Sequence, residues 1–393
     1  MLAFLAITIS IFGLVNFYVG RRGAQALAAY PTARAVFLVL FIVSALAYPL
    51  ARLLWALTKN IPSSWLVKAG SFHLVVMLYG FLAVLVIDLV RLVNALVPFL
   101  PKALTASSGR TGLVLVLVVA GAIALTIAAG TWNAAHPRTV ELDLHLPRRT
   151  GTTDHLTAVL ASDLHLGAII GRSRLETVVE KINALKPDIV FLPGDIVDES
   201  VTDKIEAELS PVMRKLRAPL GVFAATGNHE VFSGLERTLA CFRACGMVVL
   251  QDQAVRVADA FVLVGRRDRN SLKRGEKRMP IADILAREGL DDSLPIILLD
   301  HQPAHLEEAE QAGVSLQLSG HTHAGQLFPL DIINRRVWEL NWGSLRKGGT
   351  QYYVTSGVGT WGPPVRTGSF PEIVRIELHF DRTGGERSPR SGR

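Results

Sequence analysis

The sequence predicts a chain in two parts, a bundle of four membrane-spanning α-helices followed by an α/β domain containing parallel strands. Three observations predict it: apolar residues crowd into the first third, strand-length apolar runs alternate with helical stretches after it, and charge divides unevenly between the two. Of 393 residues, half are hydrophobic and 19% charged, against a globular norm of about 25% charged. The mean hydropathy is +0.33. Residues 1–136 hold nine Lys/Arg and one acid, Asp88, a net +8; the remainder carries 32 basic and 33 acidic residues. The sequence pI of about 9.6 therefore belongs to the N-terminal part and is not a basic nucleic-acid surface. Two cysteines exclude a disulfide scaffold.

The four spans come in order. Met1–Gly20 is uncharged, Ala35–Ala51 is uncharged and its apolar run resumes after Arg52 to Leu57, Ala69–Ile87 is free of charge up to Asp88, and Thr111–Ala135 is the longest uncharged run. Each approaches the ~20 residues a bilayer requires, and short polar connectors such as Gly20–Gly23 and Pro98–Gly112 separate them. Pro49 is placed to kink the second span. The first lacks the basic start and small-residue cleavage site of a signal peptide, and three spans come after it, so it is read as a span. Flanking Lys/Arg residues number six on either side, a tie that leaves orientation open; four spans place the second domain on the side of Met1. Asp88 and Arg91 are three apart near the end of the third span and can pair there.

From about His136 the composition becomes that of a globular domain, organised as a linker over 136–155, a domain over 156–380 and a disordered Gly/Ser/Pro/Arg tail over 381–393. Apolar runs of strand length occur at Leu156–Ala161, Ile189–Leu192, Val222–Ala225, Phe261–Val264, Ile296–Leu299, Val314–Leu318, Tyr353–Thr355 and Ile373–Ile376, with helical stretches at Arg172–Leu185 and Lys204–Leu216. The residues just past the strand ends carry the chemistry. Five of these runs lead into Ser162-Asp163-Leu164-His165, Gly194-Asp195, Gly227-Asn228-His229-Glu230, Asp300-His301 and Gly320-His321-Thr322-His323. Open α/β sheets place their active sites at such strand ends. One Asp or His there is ordinary turn chemistry, but five in register point to a shared metal site. Two Asp, one Asn and four candidate His ligands without Cys suit Mn, Fe or Zn and not a thiolate-bound structural zinc. Seven ligands suit two ions, which clamp the attacking and leaving oxygens of an in-line displacement and lower the pKa of a bridging water. Hydrolysis of a phosphoester is the reaction class indicated.

These five blocks resemble the signature blocks of the calcineurin-like metallophosphoesterases, over about 156–379. Ser162–Gly167 and Gly320–Gln326 resemble the membrane-associated bacterial branch, which includes transmembrane proteins with a metallophosphoesterase domain and some UDP-2,3-diacylglucosamine hydrolases. Ala324 departs from the pattern, where Gly is commoner. The resemblance implies a sandwich of two mixed β-sheets flanked by α-helices. It also implies that Asp163, His165 and His323 hold one metal, that Asp195 bridges both, and that Asn228, His301 and His321 complete the second. His229 then acts on the phosphoryl oxygens or the leaving group. The implied protein is a multi-pass protein of the bacterial inner membrane with two divalent ions, whose partners are the bilayer and a phosphorylated, lipid-linked substrate. A membrane sensor or scaffold that only binds a ligand is the alternative; the near-neutral charge of the soluble part disfavours a nuclease, and no nucleic acid is expected.

Three further features complete the reading. Gly265–Arg278 holds seven basic residues against two acids and is expected to face the metals or the bilayer and recognise a second anionic group, a solvated loop being the alternative. Cys241 and Cys245 are ordinary thiols, and His305 and His379 receive no metal role. The Gly/Pro loop Ser356–Pro364, with Trp361, is placed to wall the site.

Overall fold

The computed structural model describes residues 2–58, 64–101, 109–290 and 293–382. The chain divides into two compact units, residues 1–132 with 362–365, and residues 133–361 with 366–393.

The first unit is helical: α1 (Leu2–Ala26), α2 (Pro31–Thr58, with Pro49 inside it), α3 (Ser64–Leu96) and α4 (Gly109–Ala135). Among the described residues, three stretches are long and apolar enough to cross a membrane: Pro31–Leu54, Leu66–Leu96 and Gly109–Ala135. α1 is a fourth helix of similar length, but its last turns carry Arg21 and Arg22. Lipid removes the hydrophobic drive between such helices, so polar contacts and close packing must hold them together. Two such contacts are built in. His73 of α3 reaches Asn16 of α1 through Nε2 at 2.7 Å and Ser44 of α2 through Nδ1 at 2.9 Å. Asp88 accepts from Tyr18 at 2.6 Å and from Arg22 Nε at 2.7 Å, and Arg91, the partner its spacing suggests, lies at 3.7 Å.

The second unit is a sandwich of two six-stranded mixed sheets. Its strands are β1 (Arg138–Arg148), β2 (His155–Leu160), β3 (Ile189–Leu192), β4 (Val222–Ala224), β5 (Val248–Val249), β6 (Gln253–Val257), β7 (Phe261–Gly265), β8 (Ile296–Leu299), β9 (Leu316–Ser319), β10 (Gly343–Lys347), β11 (Thr350–Val354) and β12 (Glu372–Arg382). The first sheet has the order β1-β12-β2-β3-β4-β5 and the second β10-β11-β9-β8-β7-β6. In the first, β2 through β5 run parallel and β12 is antiparallel to β2; in the second, β7, β8, β9 and β11 run parallel.

Alternation of side chains gives each sheet two apolar faces. Leu160, Phe191, Leu263, Ile297, Leu318 and Val374 pack between the sheets. Val159, Leu192 and Val222 point outward under the helices Arg172–Ala184, Asp203–Met213 and Leu235–Ala244, which contribute Leu175, Ile182, Leu209 and Phe242. On the far side, Val262, Leu298 and Val354 meet Ile284 and Leu306. The result is four layers, α/β/β/α.

Two expectations about the boundaries are corrected. The stretch 136–155 is not a linker: it contains β1, which pairs in parallel with β12 from Arg138↔Glu372 to Arg148↔Arg382. Val140, Leu142, Leu144 and Leu146 alternate along it and face the core. That partner strand lies at the far end of the chain, so only the fold makes the pairing visible. The tail expected over 381–393 begins inside β12, which runs to Arg382; its remainder lies outside the described residues.

Candidate metal centre

The side chains singled out by the five strand-end motifs converge. β2, β3, β4, β8 and β9 all deliver their succeeding loops to one edge of the sandwich, where parallel strands end together. Asp163, His165, Asp195, Asn228, His301 and His323 are buried and His321 is nearly so. Two groups form. In the first, His165 Nε2 lies 3.0 Å from His323 Nε2, and Asp163 Oδ1 lies 3.5 Å from His323 Nε2 and 4.0 Å from His165 Nε2. In the second, His301 Nε2 lies 3.1 Å from Asp195 Oδ2, 3.2 Å from Asn228 Oδ1 and 3.3 Å from His321 Nδ1. Asp195 Oδ2 also lies 3.8 Å from His165 Nε2, so one carboxylate oxygen faces both groups.

These residues fit metal ions. An ion bonded at about 2.0–2.2 Å to nitrogen and oxygen donors needs those donors about 3–3.5 Å apart, the spacing found in both groups. Two imidazole nitrogens facing each other at 3.0 Å and two more at 3.3 Å concentrate lone pairs that a cation satisfies. Burial and the charge of His301 push His321 down to about 3, and burial holds His323 well below its ordinary value, which keeps both rings as neutral donors. His301 resists in the opposite sense. Burial opposes its charge, but the charge of Asp195 and its hydrogen bond push the ring up to about 10.

The loops are strained to present these groups. Asp163, His165, Asp195, His321 and His323 all have positive φ, from 48° to 73°, a region costly for residues with a Cβ and concentrated at functional sites. Ala324, the departure from the sequence pattern, shares it at φ 49°, which explains why Gly suits that position. Two glycines are required by space: a Cβ on Gly227 would overlap Asp195 Oδ1, and one on Gly320 would overlap Asp163 Oδ2. Glu230, fully buried, braces the turn by accepting from the backbone N–H of Asp195 (2.9 Å), Ile196 (2.8 Å), Val197 (3.1 Å) and Gly227 (2.7 Å).

His229 stands beside the ligands. Its Nδ1 lies 3.0 Å from the Asp198 carbonyl and 3.1 Å from Asp198 Oδ1. Burial disfavours its charge, but the Asp198 hydrogen bond and the charges of Asp195 and Asp198 push it up to about 9. Asp198 is a functional residue that the sequence motifs did not single out. Its Oδ1 also lies 3.1 Å from His165 Nδ1, so one carboxylate orients the His165 and His229 rings together. Arg366 is another. Fully buried, it donates to the carbonyls of Ser356 (2.8 Å) and Gly359 (2.6 Å) and lies 3.2 Å from His323 Nδ1. Its sequence signal was nil, because nothing local marks an arginine in a Gly/Pro loop as buried. That loop does support the site: Val358 N and Gly359 N donate to the carbonyls of Ser162 and Asp163 at 2.9 and 2.8 Å. The Trp361 side chain is exposed.

The basic stretch 265–278 packs beside the helix Asn228–Ser233, where Arg274 donates to the Val231 carbonyl. Its other arginines pair within the domain. Arg266 pairs with Glu308 at 2.6 Å, Arg267 with Glu276, Arg269 with Glu308 at 3.2 Å, and Arg278 with Asp300. Glu308 and Asp300, from elsewhere in the chain, offset part of the positive charge counted along this stretch, and Lys273 and Lys277 remain exposed. Cys241 and Cys245 are buried free thiols.

Residues 156–325 match the calcineurin-like phosphoesterase family. The chain is 34% identical over 278 residues to a transmembrane protein with metallophosphoesterase domain of Danio rerio, covering 67% of this chain and 62% of that one. It is 36% identical over 220 residues to an uncharacterized metallophosphoesterase of Aquifex aeolicus, covering 56% and 83%. Against an uncharacterized metallophosphoesterase of Campylobacter jejuni it is 29% identical over 386 residues, covering 96% and 98%. The chain spans 62–64% of the length of several of its curated relatives.

Proposed function

The chain belongs to the calcineurin-like metallophosphoesterases, and on that premise we propose that it is a membrane-anchored, two-metal phosphohydrolase cleaving a phosphodiester or pyrophosphate bond of a lipid or lipid precursor. The observation that carries this reading is Asp195 Oδ2, placed 3.1 Å from His301 Nε2 and 3.8 Å from His165 Nε2, between two donor sets that need a cation each. Asp163, His165, His323 and Asp195 would hold one ion, and Asp195, Asn228, His301 and His321 the other. Bound there, the pair supplies Lewis acidity to the attacking and leaving oxygens of an in-line displacement. The chain's own contribution is orientation and a proton. Asp198 fixes Nδ1 of His229, so the proton His229 delivers to the leaving oxygen is the one on Nε2.

The lipid substrate is supported by the apolar helices that precede the domain, since anchoring concentrates an enzyme where an amphiphilic substrate resides. With α1 as a fourth span, the protein is a multi-pass protein of the bacterial inner membrane; the Campylobacter jejuni relative aligns along almost its whole length. UDP-2,3-diacylglucosamine is the substrate candidate with the right chemistry, a pyrophosphate joined to a diacylated sugar. The test is incubation of detergent-solubilised protein and Mn²⁺ with a panel of lipid pyrophosphates and with bis-p-nitrophenyl phosphate, scored by product mass. Metal-dependent turnover of a lipid pyrophosphate is expected. Metal binding without turnover of any ester would return the domain to a ligand-binding sensor.

A further inference from the structure

The outer face of the first sheet carries a second set of metal-ligating side chains, remote in sequence from the strand-end motifs. Along β1, alternation sends Leu142, Leu144 and Leu146 to the core and leaves Asp143 and His145 exposed. Parallel register sets His145 beside His379 of β12, and antiparallel register sets His379 beside His155 of β2. Three imidazoles therefore lie in a row, with successive ring centroids 4.8 Å apart. Carboxylates flank them diagonally. Asp143 Oδ1 lies 3.0 Å from His379 Nε2 and 3.8 Å from His145 Nε2, Asp381 Oδ2 lies 3.0 Å from His145 Nδ1, and His155 is engaged by Glu377 at 2.6 Å.

We propose that Asp143, His145 and His379 form a surface site for a borderline divalent cation such as zinc, which staples β1 to β12. The plain alternative is a set of exposed ion pairs, which are worth little. Two features favour a cation. First, one ligand atom from each of the three residues lies within 4.8 Å of the other two, on strands whose mutual position is fixed by a ladder running from Arg138 to Arg148. The strand positions that carry the ligands are fixed before the ion arrives, and imidazole and carboxylate are ordinary zinc ligands. Second, Asp381 accepts from His145 Nδ1, which fixes the tautomer and turns the Nε2 lone pair toward Asp143. This is the carboxylate–histidine arrangement that supports metal ligands elsewhere. The staple has a structural consequence. β1 is an edge strand with one neighbour, β12, and it comes directly after α4 in the chain; a bound ion clamps it to a strand from the other end of the sequence.

The experiment uses the full-length protein in detergent, stripped with a chelator and re-equilibrated with zinc. The His145→Asn and His379→Asn variants are expected to bind one zinc ion fewer than wild type by elemental mass spectrometry, with bis-p-nitrophenyl phosphate turnover unchanged. At zinc about ten-fold above its dissociation constant, amide exchange over residues 138–148 should slow about ten-fold in wild type and not in either variant. Asp163→Asn, which touches only the other centre, should lose zinc there and keep the slowing. Equal zinc content in wild type and both histidine variants overturns the proposal, as does zinc-insensitive exchange of β1 in wild type.

Discussion

Asp300 and His301 are neighbours at the end of β8, and they belong to two buried charge clusters of opposite character. His301 turns into the metal centre, where Asp195, Asn228 and His321 bring it further donors. Asp300 turns away to Arg278, in a network with Arg266, Arg269 and Glu308. Both clusters are desolvated, and both are dense in ionisable groups. In the first, lone pairs converge on one another and the set is incomplete until a cation arrives. In the second, each arginine lies against a carboxylate, Arg266 and Arg269 sharing Glu308 and Arg278 facing Asp300. Local charge counts therefore do not identify a binding site. What identifies one is a buried group whose complement the chain itself does not provide.

The sharpest challenge to this contrast is Asp195→Asn. It removes the one carboxylate that faces both donor sets, and hydrolysis is expected to vanish with bound metal falling to one ion or none. Elemental analysis beside turnover of a chromogenic diester reads both; wild-type metal content with wild-type turnover would refute the assignment. His229→Ala separates ligands from neighbours. It should keep both ions and lose about 10²–10⁴-fold in rate, and loss of metal would make it a ligand instead. Asp198→Asn should act more mildly through the two rings it orients, costing about 10–100-fold in activity or metal affinity, as read by kcat against metal concentration.

The arginine cluster should answer in stability. Arg278→Met leaves Asp300 buried without its partner and should destabilise the domain by about 3–5 kcal/mol. Turnover per folded molecule should stay near wild type, as measured by denaturant unfolding beside metal content. A selective rise in KM for a lipid substrate would instead restore a ligand-binding role to this loop. The smallest effect is expected at Lys273 and Lys277, both exposed. Their replacement by Ala should shift stability by less than about 0.5 kcal/mol.

Much of the site was legible in the sequence because its chemistry is local. Asp163-x-His165, Gly194-Asp195, Asn228-His229, His301 and His321-x-His323 each come after an apolar run of strand length, and parallel strands carry such loops to one edge. β1 was missed and its stretch read as a linker: the alternation Val140, Leu142, Leu144, Leu146 is in the sequence, but no turn signal ties it to β12. Asp198 offered a weaker hint, three residues beyond Asp195 in the same loop.

Residue identity and short-range periodicity were thus enough for the donor types, the α/β alternation and the division into an apolar helical part and a charged domain. Which charges are paired and which are not depends on contacts between distant loops, and the folded domain settles it. Arg278 finds Asp300, Arg266 finds Glu308, Arg366 is buried against His323, and Asp198 reaches both His165 and His229. The left-handed backbone at five of the ligands has the same origin. Local preference opposes that conformation in residues with a Cβ, and it persists only because surrounding loops and Glu230 hold the turns in place.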